Sequence, residues 1–145
     1  MPAGNTSPRG KSDKGKVVLG VAAAIVIASI GNAAVSFAAQ ALGADPNVVQ
    51  GLLPRGYVVL TALGVIIAAF AWASIRKRAK DPARTLGKLV PIVVALSLLA
   101  DIPVFFLPGA SPVGVIALML MHVVVAAVAV PLFHRVLPLR NPIPA

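Results

Sequence analysis

The chain has no cysteine and no glutamate, and only 12% of its residues are charged. Without cysteine there is no disulfide, no thiolate metal site and no thiol nucleophile. Without glutamate the acids are Asp13, Asp45, Asp81 and Asp101 alone, which form no paired-carboxylate motif and leave no His-Glu-x-x-His site. Gly-x-Ser-x-Gly and Gly-rich phosphate loops are missing as well. Aromatics are scarce, at 5%, and none interrupts the basic run over residues 76–88, so the net charge of +9 lacks the usual companion of a nucleic-acid surface. Soluble domains carry about a quarter charged residues, and this chain carries half that.

What is present is apolar. Hydrophobic residues make up 59% of 145, mean hydropathy is +0.94, and the length suits one domain. Four apolar runs stand out, over residues 17–42, 57–75, 86–107 and 113–132. At ~1.5 Å rise per residue each approaches or exceeds the ~30 Å hydrocarbon core of a bilayer. Residues 1–16 are rich in Gly, Pro, Ser and Lys and are expected to be a disordered basic tail, and residues 138–145 a short Pro-rich one. The first run is expected to be a retained helix. The alternative is a cleaved signal peptide, with Ala39-Gln40-Ala41 as the small-x-small site. Asp45-Pro46, Asp81-Pro82 and Ser111-Pro112 each pair a helix-capping side chain with a proline suited to the first helical position. A short helical turn is expected over residues 47–53, ended by Pro54, and Pro91 and Pro103 are expected to kink the third run.

The basic residues define a topology. Four lie in the N-terminal tail, six in the loop after the second run and two in the C-terminal tail, against one in the loop after the first run. That distribution puts both termini and the middle loop in the cytoplasm, and an even number of spans agrees with it. The expected fold is all-α, an antiparallel up-down bundle of four transmembrane helices. Arg76, Lys77, Arg78, Lys80, Arg84 and Lys88 are the candidate contacts to anionic lipid headgroups.

The chemistry-bearing residues lie inside the apolar runs. Asp101 sits six residues before Leu107, about 9 Å from the outer end of span three, and His122 nine residues after Val113, about 14 Å down span four from the same side. Ionisable groups at such depth mark functional sites by default. Ser29, Asn32, Ser36 and Gln40 recur at helical spacing and form one polar stripe on span one. Ser97 shares a face with Asp101. On span two, Thr61, Gly64, Ala68 and Ala71 share a face, and Gly64-x-x-x-Ala68 suits close helix approach. Tyr57 and Trp72 are expected at the two membrane interfaces. The candidate intramembrane polar or proton site is therefore Asp101, His122, Asn32, Ser36, Ser97 and Thr61. The competing reading is interhelical glue, typically worth under ~2 kcal/mol per contact. Ser36 or Ser97 with His122 and Asp101 offers the residue types of a triad but no strained nucleophile turn, so no catalytic residue, metal or cofactor is expected.

Leu60-Thr61, Gly64, Pro82-Ala83-Arg84-Thr85, Ala95-Leu96-Ser97-Leu98, Asp101, Pro131 and the stretch Leu118-Met119-Leu120-Met121-His122-Val123-Val124-Val125-Ala126-Ala127 resemble a family of uncharacterised small bacterial membrane proteins with four spans. The likeness covers residues 56–138. It implies four helices and an interest in Asp101 and His122, and it supplies no substrate. Small multidrug transporters need a glutamate in span one, which this chain lacks. The functional expectation is a structural, accessory or partner-binding membrane subunit, in contact with anionic lipid and with a second copy or a larger partner. The alternative is a small oligomeric transporter or proton-linked sensor using the Asp/His/Asn cluster.

Overall fold

The structure is a computed structural model describing residues 9–139. Four helices make up most of it: α1 (Arg9–Ala41), α2 (Pro54–Arg78), α3 (Pro82–Ala100) and α4 (Pro112–Val136). Short 3₁₀ segments, Gln50–Leu52 and Ile102–Phe106, precede α2 and follow α3. Four elements are long and apolar enough to cross a membrane, with α3 and its 3₁₀ extension counting as one.

Local chemistry explains the ends. The Asp81 carboxylate accepts the Arg84 N–H at 2.9 Å and the Ser111 hydroxyl accepts the Gly114 N–H at 3.1 Å, and in each case the proline fills the first helical position. α1 closes on Gly43, whose φ of +93° is open to glycine at little cost. There the Gly43 N–H reaches Gln40 O and the Ala44 N–H reaches Ala39 O, both at 3.0 Å, the paired bonds of a Schellman motif.

Several boundaries differ from the sequence expectation. Residues 9–16 continue α1 where a disordered tail was expected, and residues 1–8 and 140–145 lie outside the described part. Asp45 does not cap a helix. Its carboxylate accepts the Asn47 N–H at 2.8 Å in a local turn, because the chain has only a few residues to reach α2. The turn expected over residues 47–53 is present as the 3₁₀ segment Gln50–Leu52, and Pro54 after it opens α2, since a proline costs nothing where the N–H has no intrahelical partner. Span three is not one α-helix: it changes to 3₁₀ after Ala100, where Pro103 lacks the N–H that another α-turn needs. Pro91 and Pro131 stay inside their helices.

Going round the bundle, α1 packs on α2 and most extensively on α4, α3 packs on α2 and α4, and α2 meets α4 across the diagonal. Glycine makes the α1–α4 seam close. A Cβ on Gly20 would stand 2.5 Å from Val136 Cγ1, and one on Gly31 would stand 2.7 Å from Val124 Cγ1. The buried positions Gly20, Ala24, Ala28, Asn32 and Ser36 follow one another at intervals of four along α1. Two apolar clusters fill the bundle. The one at the end that carries the described basic loop contains Trp72, Leu86, Phe133 and Leu137. The other contains Ala39, Ala117 and Met121, with Val49 and Leu52 of the first loop folded in.

Two expected interfaces are reversed. Gly64 and Ala68 face outward, with nothing within 4 Å of a Cβ at Gly64, so this small-residue pair does not bring α2 against a neighbour within the chain. Trp72 is not an interfacial belt residue. It is 3% exposed, packs edge-to-face on Phe133 and His134, and donates its indole N–H to Leu137 O at 3.2 Å.

Candidate functional site: an acid–imidazole pair in the seam between two helices

Asp101 is the last residue before α3 gives way to 3₁₀, held there by its N–H on Leu98 O and by its carbonyl, which accepts the Val104 N–H at 3.0 Å. The turn of chain that Pro103 imposes therefore presents the carboxylate to α4. Its Oδ2 lies 3.1 Å from His122 Nδ1. The same nitrogen lies 3.0 Å from Leu118 O, one turn earlier in α4. A carbonyl oxygen only accepts, so Nδ1 carries the hydrogen and Nε2 is left as the acceptor of the neutral ring. The carbonyl fixes the ring's tautomer and the carboxylate stands ready to stabilise the imidazolium.

The pair is unevenly covered. The Asp101 side chain is 13% exposed and that of His122 40%. The cause is α3, whose only buried residues, Pro82 and Leu86, lie at its basic end. Further along, Val94, Ser97, Leu98 and Asp101 reach the bundle only as a half-buried stripe. The seam between α3 and α4 thus stays open beside the imidazole.

The other expected site residues fall elsewhere. Asn32 donates its amide to the Thr61 hydroxyl at 2.9 Å, tying α1 to α2, and both side chains are buried. Asn32 Oδ1 and the Ser29 hydroxyl, one turn earlier, are buried without a hydrogen bond in the described chain. Ser36 donates to Leu52 O at 2.6 Å and accepts from Gln40 at 2.9 Å, so it pins the loop to α1. Ser97 bonds back to Val94 O in its own helix at 2.7 Å. The six candidates therefore form a pair, a second pair and two serines bonded outside both pairs. No hydrogen bond joins Asn32 to Asp101 or His122 among the described residues. Among the described residues, no three His, Cys, Asp or Glu side chains converge to hold a metal.

Thr61→Val keeps the shape of the second pair and removes its acceptor. Unfolding in mild detergent, followed by circular dichroism, should show a loss of about 1 kcal/mol, whereas Thr61→Ser should lose little.

Arg76, Lys77, Arg78, Lys80, Arg84 and Lys88 lie in the last turn of α2, the connection and the first turns of α3, all at one end of the bundle. Sequence reasoning missed a groove at that same end, lined by Lys16, Arg76 and Arg135 together with Asp13 and apolar residues of α1. The signal was a basic residue at the boundary of each of three spans.

Four membrane-length helices, a glycine-backed seam and one buried-edge acid–imidazole pair define a small four-helix membrane protein. The chain belongs to a family of unknown function, DUF6069, whose sequence model matches residues 12–138. No curated protein and no solved structure matches it.

Proposed function

We propose that this protein is a partner-binding subunit of a membrane assembly, and that it docks through the open seam between α3 and α4. The observation that carries the reading is His122, 40% exposed beside a carboxylate within a span of apolar residues. A polar ring at that depth is poorly solvated by lipid tails, and a neighbouring helix that covers it relieves the cost. The half-buried stripe of α3 leaves room for such a helix, from a second copy or from a larger partner. A bacterial plasma membrane with both termini cytoplasmic completes the reading, supported by the twelve-to-one distribution of basic residues. No catalytic role is assigned.

Native mass spectrometry of the protein drawn from its membrane in mild detergent tests this. A stoichiometric complex is expected, weakened about tenfold or more by His122→Phe and by Asp101→Asn, and unaffected by Ser97→Ala. A wild-type protein that stays monomeric, or a complex indifferent to both substitutions, would refute the reading.

One observation favours a second reading. An acid and an imidazole 3.1 Å apart set two proton-carrying groups side by side in the seam, which suits a proton-linked sensor or carrier. Asn32 takes no part in it, being bonded to Thr61. This reading requires a pH-dependent response in liposomes that Asp101→Asn abolishes, and it fails if the response survives that change.

A further inference from the structure

At the basic end, the start of α1 and the end of α4 at Val136, with Leu137 and Pro138 after it, line a groove of about 610 Å³. Two bonds hold its wall in place: Trp72 Nε1 donates to Leu137 O at 3.2 Å, and Arg76 Nη1 donates to Pro138 O at 3.4 Å. Gly20 lets α1 approach Val136 at the base. The groove has two chemistries. Lys16, Arg76 and Arg135 stand at its mouth with Asp13 among them, and Val17, Leu19, Gly20 and Ala23 continue it along α1 into the apolar run. No carboxylate comes within 4.0 Å of any of the three cations among the described residues.

Arg76 and Arg135 lie in the last turns of α2 and α4, where the exposed carbonyls favour a cation. Lys16 does not, because it precedes the apolar run of α1. Helix-end electrostatics therefore does not account for all three cations lining one groove. With Asp13 subtracted, the rim holds two positive charges, more than one phosphodiester neutralises, so a lipid of net negative charge suits it better than a zwitterionic one.

We propose that this groove binds one molecule of an anionic glycerophospholipid, its phosphate held by Lys16, Arg76 and Arg135 and one acyl chain lying along Val17, Leu19, Gly20 and Ala23. The occupant follows from the order of the two chemistries. A cationic mouth at the end of three spans opens onto an apolar channel that runs down a membrane helix, and a lipid carries charge and chain in that order. A soluble phosphate would use the mouth and waste the channel.

Native mass spectrometry after exchange into detergent doped with phosphatidylglycerol or phosphatidylcholine tests the assignment. Wild type should retain one phosphatidylglycerol with at least about tenfold preference over phosphatidylcholine. Lys16→Gln with Arg135→Gln should weaken retention by roughly 25-fold, about fivefold for each charge removed. Lys77→Gln with Arg78→Gln removes the same charge outside the groove and should change retention less than threefold. Ala23→Trp fills the channel while keeping every cation, so it should also release the lipid. Circular dichroism confirms that each variant remains helical. Equal losses from the two charge-removing doubles would mean a diffuse surface field and overturn the site. Displacement of the lipid by glycerol phosphate at equal concentration, or full retention in Ala23→Trp, would overturn the lipid as occupant.

Discussion

Gly31→Leu should separate α1 from α4 and cost about 3 kcal/mol or more, the upper end of what overpacking does. The first added carbon already stands 2.7 Å from Val124 Cγ1, and three more follow it. Val124 is β-branched and has no long arm to swing aside. The effect is large because of where it falls. Lipid tails are as apolar as leucine, so helices in a bilayer gain little from hydrophobic burial and hold together by close packing. α1 and α4 share the most extensive contact in the bundle, and Gly20 and Gly31 allow it. Gly31→Ala should cost clearly less than leucine. Unfolding of wild type and both variants in one detergent gives the comparison, and equal stability of all three would show that the seam is not the bundle's main tie.

Phe133→Ala should cost about 2–3 kcal/mol. At ~24 cal/mol per Å³ of residual cavity, the loss of about 100 Å³ of ring accounts for that sum, with no further transfer cost because the surroundings are lipid. Phe133 is 1% exposed and meets Trp72 at a centroid distance of 5.7 Å. Its removal also frees Trp72, whose indole holds the wall of the basic-end groove through Leu137 O. Tryptophan fluorescence should therefore shift to the red together with the loss of stability. A stability loss without any spectral change would mean that Trp72 is fixed by His134 and Leu137 alone.

The two polar pairs have opposite characters. Asn32 and Thr61 are buried, join neighbouring helices and have the character of glue. Asp101 and His122 sit in a seam that α3 leaves open, and they alone among the six candidates combine ionisable chemistry with access. The difference comes from α3. The face shared by Ser97 and Asp101 turns toward the bundle only half-buried, and the helix leans on the bundle mainly through Pro82 and Leu86 at one end.

The sequence alone determined the class of fold, the number of helices, the capped starts of α3 and α4 and the end of the bundle where the described basic loop gathers. These rest on chemistry within a turn or two of chain: run length, a capping Asp81 or Ser111 before proline, and cations outside an apolar stretch. It also singled out Asp101 and His122, because ionisable groups are conspicuous in apolar runs. Only the tertiary structure decided which faces meet. It turned Gly64 and Ala68 outward, brought Trp72 inside, folded Leu52 of a loop into the core and separated Asn32 from Asp101. The reason is the solvent. In water an apolar face points to the core, but in lipid every face is equally apolar to its surroundings, so periodicity marks a helix without saying which side of it packs.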